Sequence, residues 1–452
     1  MQIPGLPEHV LEAISAAQRV VAPGASVAVV GGAVRDLLLH RVHNDPWRGI
    51  PDLDLVVEGS GAALVEQLEQ ELAARGYPNA ITSRRVHGAY GTVEVELVLD
   101  LERKPELKRS VGGQSLLLDL ATARSETYPV PAENPQVRFG ALADDLARRD
   151  FTINAMALVL AGRDGGSQEL LDPHGGQQDL QQRLLRLLHR QSLRDDPTRL
   201  LRGARYAARL GFELAPESQA LATSTLAAWP WPWRLGDPPE QAPPALGTRL
   251  RMELELLLER EPWPQALAAL QSWGALVLLD PQLQADCSWL LRLRWAQRLG
   301  LPLMVALVAG AADPLALAER LQLPHGQHKL LAAWLALRER LLQAETESSG
   351  TSQGPDGLRW NDSHWDAARW CALLEAPGCS PEAVALALAA SAGGGQPWWR
   401  WRRPLLRWWW RWRHIAAPLQ AKELIAEGLQ PGPELGARLR QLRAEALAAE
   451  RL

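Results

Sequence analysis

The stretch Pro51-Asp-Leu-Asp-Leu-Val-Val-Glu-Gly59, read with Ser26-Val-Ala-Val-Val-Gly-Gly-Ala-Val-Arg-Asp36 before it, decides the fold of the first part of the chain. The apolar run 26–30 predicts a buried strand that breaks at a pair of glycines and continues as a helix. In a second strand, Asp52 and Asp54 share one face, because side chains alternate along a strand. The intervening leucines then face the core, so the two carboxylates lie together on the other face.

A phosphate and metal site is the hypothesis that joins these two stretches. Gly31 and Gly32 have no side chains, so backbone N–H groups at the start of the following helix can approach a phosphate closely. Two carboxylates beside such a cradle suit Mg²⁺, which prefers oxygen ligands shared with substrate phosphates. Each element alone is more simply a glycine turn or an exposed aspartate pair. Together they indicate nucleotidyl transfer.

Four motifs in order resemble a known family and cover roughly the first half of the chain. The first resembles the nucleotidyltransferase signature of the polymerase beta superfamily, and the others resemble successive blocks of class II tRNA nucleotidyltransferases and bacterial poly(A) polymerases. The motifs are Gly31-Gly-Ala-Val-Arg-Asp36 with Asp52-Leu-Asp54, Arg148-Arg-Asp-Phe-Thr-Ile-Asn-Ala-Met156, Asp172-Pro-His-Gly-Gly176 with Asp179-Leu180, and Asp195-Asp-Pro-Thr-Arg-Leu-Leu-Arg202.

The resemblance implies roles for three carboxylates. Asp52 and Asp54 would hold one or two Mg²⁺ ions that bridge to the nucleotide triphosphate. Asp119, in Leu116-Leu-Leu-Asp-Leu120, is the natural third carboxylate and would draw in or deprotonate the attacking 3′-hydroxyl of an RNA end. We expect all three within metal reach of one another. The alternative for Asp119 is a strand-end carboxylate in a hydrogen-bond network.

The nucleotide-binding residues implied by the family are drawn from the glycine turn and from the two arginine-containing motifs. Residue 35 could reach a phosphate or simply pair with its neighbour Asp36, and the segment 148–154 is expected to open a helix. The set is Gly31, Gly32, Arg35, Arg149, Asp150, Asn154, Asp196, Arg199 and Arg202.

Asp196 and Arg199, three apart on an expected helix, are the pair assigned to base selection. Carboxylate oxygens accept from the amino group of C or A, and the guanidinium donates to the ring nitrogen and any carbonyl. The family has Glu-Asp where this chain has Asp195-Asp196. An i,i+3 surface ion pair is the alternative. Arg205 and Arg209 continue a basic stripe and could be merely solvated.

Composition sets the limits on class and location. The 452 residues are 47% hydrophobic and 22% charged, which is typical of a globular protein. The formal net charge of −4 gives no hint of nucleic-acid binding, so any basic surface for tRNA must be local. Three cysteines without metal spacing, no signal peptide and no long apolar stretch predict a cytoplasmic protein with no membrane association. No obligate protein partner is evident.

The expected fold class is an α/β nucleotidyltransferase head, a mixed sheet with flanking helices, followed by all-α neck, body and tail domains. Helices are expected over 8–20, 33–41 and 61–75, strands over 26–30, 52–58, 93–101 and 115–120, with a polar loop over 102–113. Helical periodicity continues from Leu142 onward. The domains are 1–145 head, 146–215 neck with the base-selecting motif, 216–345 body, and 346–452 tail, which is expected to bind tRNA.

Two arginines are weaker candidates for tRNA contact. Arg124, six residues after Leu118, sits where the family carries an arginine, and Arg438 lies in a helix that resembles the family's tRNA-gripping tail. The segment Trp398–Arg413 interleaves arginines with indoles. Because the chain has 19 Trp against 3 Phe and 4 Tyr, ordinary core packing is the favoured interpretation there, and stacking on RNA is the alternative.

The function that the resemblance implies is template-independent addition of C and A to the 3′ end of tRNA from CTP and ATP, with release of pyrophosphate. The segment 125–142 resembles a flexible loop that helps switch specificity from C to A, which favours the complete CCA activity; an ordered loop without a switching role is the alternative. A partial CC-adding or A-adding enzyme, and a bacterial poly(A) polymerase, which normally carries a longer basic extension, remain open. A non-catalytic RNA-binding relative would have lost a metal carboxylate.

Overall fold

The computed structural model describes residues 3–4, 6–21, 25–47, 49, 52–87, 91–98, 115–161, 169–349, 365–393 and 398–450. The chain forms two compact units. The first consists of Met1–Pro232, Pro243–Ala245 and Glu261–Ala275, and the second of Trp233–Ala242, Leu246–Arg260 and Leu276–Leu452.

Eleven strands lie within the described residues, all of them in the first unit: β1 (Val27–Val30), β2 (Asp52–Val57), β3 (Ile81–His87), β4 (Thr92–Val98), β5 (Ser115–Thr122), β6 (Arg124–Thr127), β7 (Gln136–Phe139), β8 (Ala157–Ala161), β9 (Glu169–Leu171), β10 (Leu184–Leu185) and β11 (Glu213–Leu214).

The first nine α-helices in chain order are α1 (Glu8–Val21), α2 (Gly32–His43), α3 (Gly61–Ala74), α4 (Leu142–Ala147), α5 (Gly176–Gln182), α6 (Ser192–Asp195), α7 (Thr198–Leu210), α8 (Pro216–Ala228) and α9 (Thr248–Arg260). The following helices are α10 (Trp263–Ser272), α11 (Pro281–Ala285), α12 (Trp289–Arg298), α13 (Leu303–Val308), α14 (Pro314–Arg320), α15 (His325–Ser349), α16 (Ala367–Leu374), α17 (Pro381–Ala390), α18 (Trp398–Trp410), α19 (Ala421–Ala426) and α20 (Pro433–Ala448).

A seven-stranded mixed sheet organises the first unit. Its strand order is β3-β4-β5-β2-β1-β8-β9, and β2 and β5 run parallel while the other neighbouring pairs are antiparallel. The parallel register places Asp54 opposite Asp119. Side chains of paired residues lie on the same face of a sheet, so these two carboxylates are neighbours across the strands.

The two faces of the sheet are covered differently. On one face, Leu53, Leu55 and their neighbours are buried where α1 and α3 pack. The other face is covered by α4 only in part: Leu142 and Leu146 pack there against a cluster that includes Val56. Asp52 and Asp54 precede Val56 on this same face, so they lie toward the part of the face that α4 leaves accessible.

The expected α/β head followed by helices is confirmed, but the helical assignment from Leu142 onward is wrong in detail. The chain returns to the main sheet as β8 and β9, past residue 145, and β10 pairs with β11 in a short parallel ladder. The helix expected over 148–154 is also wrong. Helix α4 ends at Ala147, and a 3₁₀ turn, Thr152–Asn154, follows. The polar loop 102–113 lies outside the described residues.

The second unit is helical in its described part. Helix α17 packs against α12, α15 and α18, and α20 packs against α16 and α19. The tryptophan-rich helix α18 buries Trp401 and Trp408, so core packing accounts for these indoles. Trp410 on the same helix is 67% exposed. No helix in the described part of the chain is both long and apolar enough to cross a membrane.

Candidate active site

The three predicted catalytic aspartates lie on adjacent strands of the first unit. Asp52 is exposed, whereas Asp54 and Asp119 are half-buried. Asp54 pairs with Asp119 in the β2–β5 register, and Asp119 in turn pairs with Glu94 of β4. Carboxylates therefore occupy neighbouring positions on three strands, and Glu94 is held on its other side by Arg85 at 3.3 Å.

The pKa of Asp54 is strongly raised by its surroundings in the site. This pKa is raised from 3.8 to about 6: burial is the largest cause, the negative charges of Asp52 and Asp119 add to it, and Arg149 opposes them. The carboxylate is thus held near other carboxylates at a cost that a bound cation would reduce. Perturbed carboxylates of this kind are typical of functional sites.

The glycine turn at the start of α2 is crowded by the site itself. Gly31 has φ of 69°, a conformation that L side chains rarely adopt. A Cβ placed there would lie 2.9 Å from Nη1 of Arg149 and 3.5 Å from Oδ2 of Asp54. Helix α2 has no side-chain cap at its N-terminus. Its first N–H groups and Arg149 therefore border one space beside Asp54, and the space exists because residue 31 lacks a side chain.

Arg35 and the 3₁₀ turn are joined directly. Arg35 is 3% exposed; its Nε donates to Asp36 at 2.8 Å, and its Nη1 donates to Oδ1 of Asn154 at 2.9 Å. The guanidinium also lies over the ring of Tyr206, 5.3 Å from its centroid. The pairing with Asp36, expected as the alternative for Arg35, is formed, and the same arginine ties α2 to the turn.

Asp150 is the buried acceptor at the centre of the second motif. Its carboxylate accepts from the backbone N–H of Phe151, from Nδ2 of Asn154 at 3.1 Å and from Nη1 of Arg202 at 3.3 Å. Burial raises the pKa of Asp150, but the charges of Arg202 and Arg199 and these hydrogen bonds outweigh burial and hold it below the usual value. Asp150 is therefore an ionised anchor that links the turn to α7.

Two acidic residues outside the predicted set orient the arginine pair. Asp145, fully buried, accepts from Arg148 at 2.7 Å and from Arg149 at 2.9 Å. Glu126 of β6 accepts from Arg148 at 2.9 Å and from Arg124 at 3.0 Å. The spacing of Asp145 three and four residues before the arginines is a signal that could have identified it. The role of Glu126 depends on sheet packing, which leaves no local signal.

Asp196 and Arg199 differ from the expected arrangement on one helix. Asp196 precedes α7 in an extended conformation and caps it: Oδ1 accepts from N–H and Oγ1 of Thr198 at 3.0 and 2.6 Å. Arg199 is 4% exposed and donates through Nη2 to the carbonyl of Arg148 at 3.1 Å. Nη1 of Arg199 is buried with no hydrogen-bond partner among the described residues. One donor is therefore available to a ligand.

The remaining arginines of α7 are not simply solvated. Arg202 lies between Asp150 and Asp196, 3.3 and 3.8 Å from their carboxylate oxygens. Arg205 and Arg209 both bind Glu261, whose side chain is 1% exposed. The interpretation of these last two as solvated charges is wrong, because a buried carboxylate that precedes α10 neutralises them.

The two arginines proposed for tRNA contact have different surroundings. Arg124 is bound by Glu126 and its side chain is 17% exposed, so it belongs to the network around Arg148. Arg438 of α20 has a 43% exposed side chain and lies 4.0 Å from Glu445. The side chain of Arg438 is therefore the more exposed of the two.

The donors at the aspartates fit a hard divalent cation, with one restriction. Asp52 and Asp54 supply carboxylate oxygens, and the raised pKa of Asp54 reflects first its burial and then the neighbouring negative charge, which such a cation would offset. Among the described residues no group of three or more His, Cys, Asp or Glu side chains is arranged to hold one metal ion. The metal assignment is to Asp52 and Asp54, and the placement of Asp119 within metal reach of both stays a prediction.

Known proteins resemble this chain in sequence. The Poly A polymerase head domain family matches residues 27–186. A CC-adding tRNA nucleotidyltransferase of Deinococcus radiodurans is 38% identical over 322 residues, which are 70% of this chain and 71% of that protein. An A-adding tRNA nucleotidyltransferase of Halalkalibacterium halodurans is 37% identical over 199 residues, 44% of this chain and 39% of that protein.

Solved structures share the fold along nearly the whole chain. A CCA-adding enzyme in its apo form II superposes with a TM-score of 0.65 at 23% identity, covering 99% of this chain and 94% of that one. The Thermotoga maritima CCA-adding enzyme complexed with tRNA gives a TM-score of 0.62 at 21% identity, covering 100% and 97%. With the sequence match to the Deinococcus protein and the head-domain match, these likenesses place the chain: it belongs to the class II tRNA nucleotidyltransferase family and is an enzyme of the nucleotidyltransferase type.

Proposed function

We propose that this enzyme adds C and A nucleotides to the 3′ end of tRNA, using CTP and ATP and releasing pyrophosphate. The observation that carries the proposal is the placement of Asp52, Asp54 and Asp119 on one sheet face beside Gly31 and Arg149. A triphosphate can lie along the start of α2, where backbone N–H groups and a guanidinium meet its charge. The reacting phosphorus then lies near the aspartates.

The roles of the site residues follow from their surroundings. Gly31 and Gly32 admit the phosphates to the N–H groups of α2, and Arg149 donates to a phosphate oxygen beside Asp54. Asp119 accepts the proton of the attacking 3′-hydroxyl or draws that hydroxyl in, because it is the cross-strand neighbour of Asp54. Arg35, Asp150 and Asn154 form a hydrogen-bonded unit that positions the nucleotide sugar.

Asp52 and Asp54 are the residues that would hold Mg²⁺. When bound there, the ion supplies Lewis-acid stabilisation of charge on the attacking and leaving oxygens. Two carboxylates are sufficient for Mg²⁺ in such sites, because substrate phosphates and water complete its coordination. Ionised Asp54 is needed for this binding.

Base choice is proposed to rest on Asp196, Arg199 and Arg202. Nη1 of Arg199 is a buried donor without a hydrogen-bond partner among the described residues, which suits an acceptor on the Watson–Crick edge of C or A. The second carboxylate oxygen of Asp196 faces Arg202 at 3.8 Å and can accept from an exocyclic amino group. No nucleic-acid template is required for such a reading.

The partner proposed for the chain is tRNA, with the division into head, neck, body and tail that the sequence predicts. One solved relative of the same fold is a complex with tRNA, and others are complexes with CTP and with ATP. Arg438, exposed on α20, is the tail residue proposed to contact the tRNA backbone; Arg124 would act through Glu126 and Arg148 instead.

One assay tests the extent of the reaction. Purified protein is incubated with tRNAs that end at the discriminator, at C and at CC, with CTP and ATP supplied separately and together. Extension of all three to CCA supports the proposal, and stalling at CC contradicts it. Asp52→Ala should abolish incorporation while tRNA binding persists; full activity of that variant would refute the assignment of the site.

A second candidate, CC addition alone, is favoured by one observation. Two CC-adding relatives are matched over 71% and 69% of their lengths, whereas several A-adding and multifunctional relatives are matched over 39% or less. Segment 125–142 contains the hairpin β6–β7, which is tied to Arg148 through Glu126, so it corresponds to the ordered-loop alternative and does not count against CC addition alone. The tRNA ending in CC decides between the two candidates, because only the complete enzyme extends it with ATP.

A further inference from the structure

We infer that Glu261 is a positioning residue for base selection: by binding Arg205 and Arg209 it fixes the C-terminal half of α7 and so aims Arg199 and Arg202 at the nucleotide. The inference rests on the proposed function of α7. It concerns a residue that lies outside every motif and whose effect would act through other side chains.

The side-chain hydrogen bonds described for Glu261 all come from α7. Nε of Arg205 donates to Oε1 at 3.4 Å, and Nε of Arg209 donates to Oε2 at 3.0 Å, with a further contact from Nη2 of Arg209 to Oε1. The glutamate side chain is 1% exposed, and the hydrogen bond to Glu261 holds the pKa of Arg209 above its usual value. Water therefore does little to screen the Glu261 carboxylate, whereas the Arg209 side chain is 38% exposed.

The opposite half of α7 carries the candidate specificity residues. Arg199 reaches the carbonyl of Arg148, Arg202 reaches Asp150, and Asp196 caps the helix at Thr198. The contacts of Arg199 and Arg202 are with residues of the second motif, whereas that of Asp196 lies at the start of α7 itself. Glu261 has no part in them.

The middle of α7 has no room to adjust. A Cβ on Gly203 would lie 2.8 Å from Cζ of Phe151 and 3.5 Å from Trp273, so the helix backbone packs directly on both rings. A tilt at one end is therefore transmitted to the other, because a helix behaves as a rigid rod over 13 residues.

The charge of Glu261 fixes the position of the C-terminal half of α7. Arg205 and Arg209 are four residues apart on one helix face, where like charges repel. The Glu261 carboxylate lies between the two guanidinium groups, offsets their repulsion and binds both to the segment before α10. Without its charge the two guanidinium groups move apart, and α7 pivots on Phe151. The expected consequence is altered aim of Arg199 and Arg202 rather than loss of the fold.

The test compares nucleotide discrimination in the full chain. Glu261→Gln keeps the shape but removes the charge, and Glu217→Gln, which removes the exposed partner of Arg186 in the same unit, is the matched control. For each protein, kcat and KM are measured for correct and incorrect nucleotides on one tRNA. We expect the discrimination ratio of Glu261→Gln to fall about tenfold, a size typical of small misplacements, while the control is unchanged.

A double variant separates positioning from stability. Glu261→Gln with Arg205→Gln removes the repulsion, and the amide can still accept from Arg209, so discrimination should return most of the way to the wild-type ratio. Thermal unfolding of each variant is measured in parallel. A lower Tm with an unchanged discrimination ratio in Glu261→Gln would overturn the inference, as would a double variant no better than the single one. If the wild-type protein adds no nucleotide, the proposed function itself fails, which is a distinct result.

Discussion

At the scale of single residues, the burial of Asp54 near other carboxylates lowers the stability of the folded chain. Burial and then Asp52 raise its pKa from 3.8 to about 6, so the folded chain binds this proton more tightly than the unfolded chain does. The ionised carboxylate therefore destabilises the fold fully above pH 6, and the cost fades as the pH falls, disappearing below about pH 4. At about 1.36 kcal/mol per pKa unit, the cost at pH 8 is at most about 3 kcal/mol.

Asp54→Asn should accordingly stabilise the metal-free protein while it abolishes nucleotide incorporation. The expected rise in the free energy of unfolding is up to about 3 kcal/mol at pH 8 and roughly half that at pH 5, because part of the wild-type population is already protonated there. Thermal unfolding at the two pH values measures it. Exposed Glu69→Gln is the control and should change little; a destabilised Asp54→Asn would show that the carboxylate is not under electrostatic strain.

Gly31 gives a second residue-scale prediction. Gly31→Ala forces a side chain into φ of 69° and places a methyl group 2.9 Å from Nη1 of Arg149. The backbone cost is about 1 kcal/mol, and displacement of Arg149 should raise the KM for CTP by about tenfold or more.

Gly211→Ala is the control that separates backbone strain from the contact with Arg149. That glycine has φ of 71°, and a Cβ there meets nothing within 4 Å. It should lose similar stability but keep its KM. Equal KM values for both alanine variants would mean that the space beside Arg149 is not used by the nucleotide.

At the scale of elements, α7 carries Arg199 and Arg202, two of the residues proposed for base choice. Arg199→Ala removes the donor Nη1 that has no hydrogen-bond partner among the described residues, together with the bond to the Arg148 carbonyl. We expect relaxed selection among the four nucleotides, with a discrimination ratio lowered by at least about tenfold and tRNA affinity nearly unchanged. Arg194→Ala, whose side chain is 42% exposed, is the nearby control. Retained preference for C and A would defeat the assignment of base choice to Arg199.

The elements also show what sequence patterns can and cannot predict. The strand around Val29 and the aspartate strand follow from alternation and glycine breaks, because both signals are local. The run Ala157-Leu-Val-Leu-Ala161 suits a helix as well as a strand, and only its pairing with β1, about 130 residues earlier, makes it β8. The burial of Trp408 and its hydrogen bond to Glu375 depend equally on distant packing.

The site shows the same limit. The aspartates and Gly31 were predicted because their chemistry is confined to a few consecutive residues. The partners of Arg199 and Arg209, which are the carbonyl of Arg148 and the carboxylate of Glu261, come from other segments. Spacing along a helix gives the direction of a side chain but not what lies opposite it.

At the scale of the whole molecule, many arginines form ion pairs with aspartates and glutamates. The net charge of −4 conceals arginines that are locked to carboxylates, among them Arg148, Arg202 and Arg209. Cations available for a phosphate backbone are consequently local, as at Arg438. We expect salt to weaken tRNA binding, and Arg438→Ala should lower the slope of log K against log salt concentration by about one. An unchanged slope would remove Arg438 from the tRNA interface.

The position of β8 between β1 and β9 determines when the main sheet can be completed during synthesis on the ribosome. Until residues 157–171 emerge, β1 has no partner on one side, and an apolar strand edge remains open to wrong pairing. Stalled nascent chains that end before β8 should therefore be cleaved by protease at the aspartate strand and captured by chaperones, whereas chains that expose β9 should resist. The main sheet is thus completed only after the arginine motif 148–156 has been synthesised.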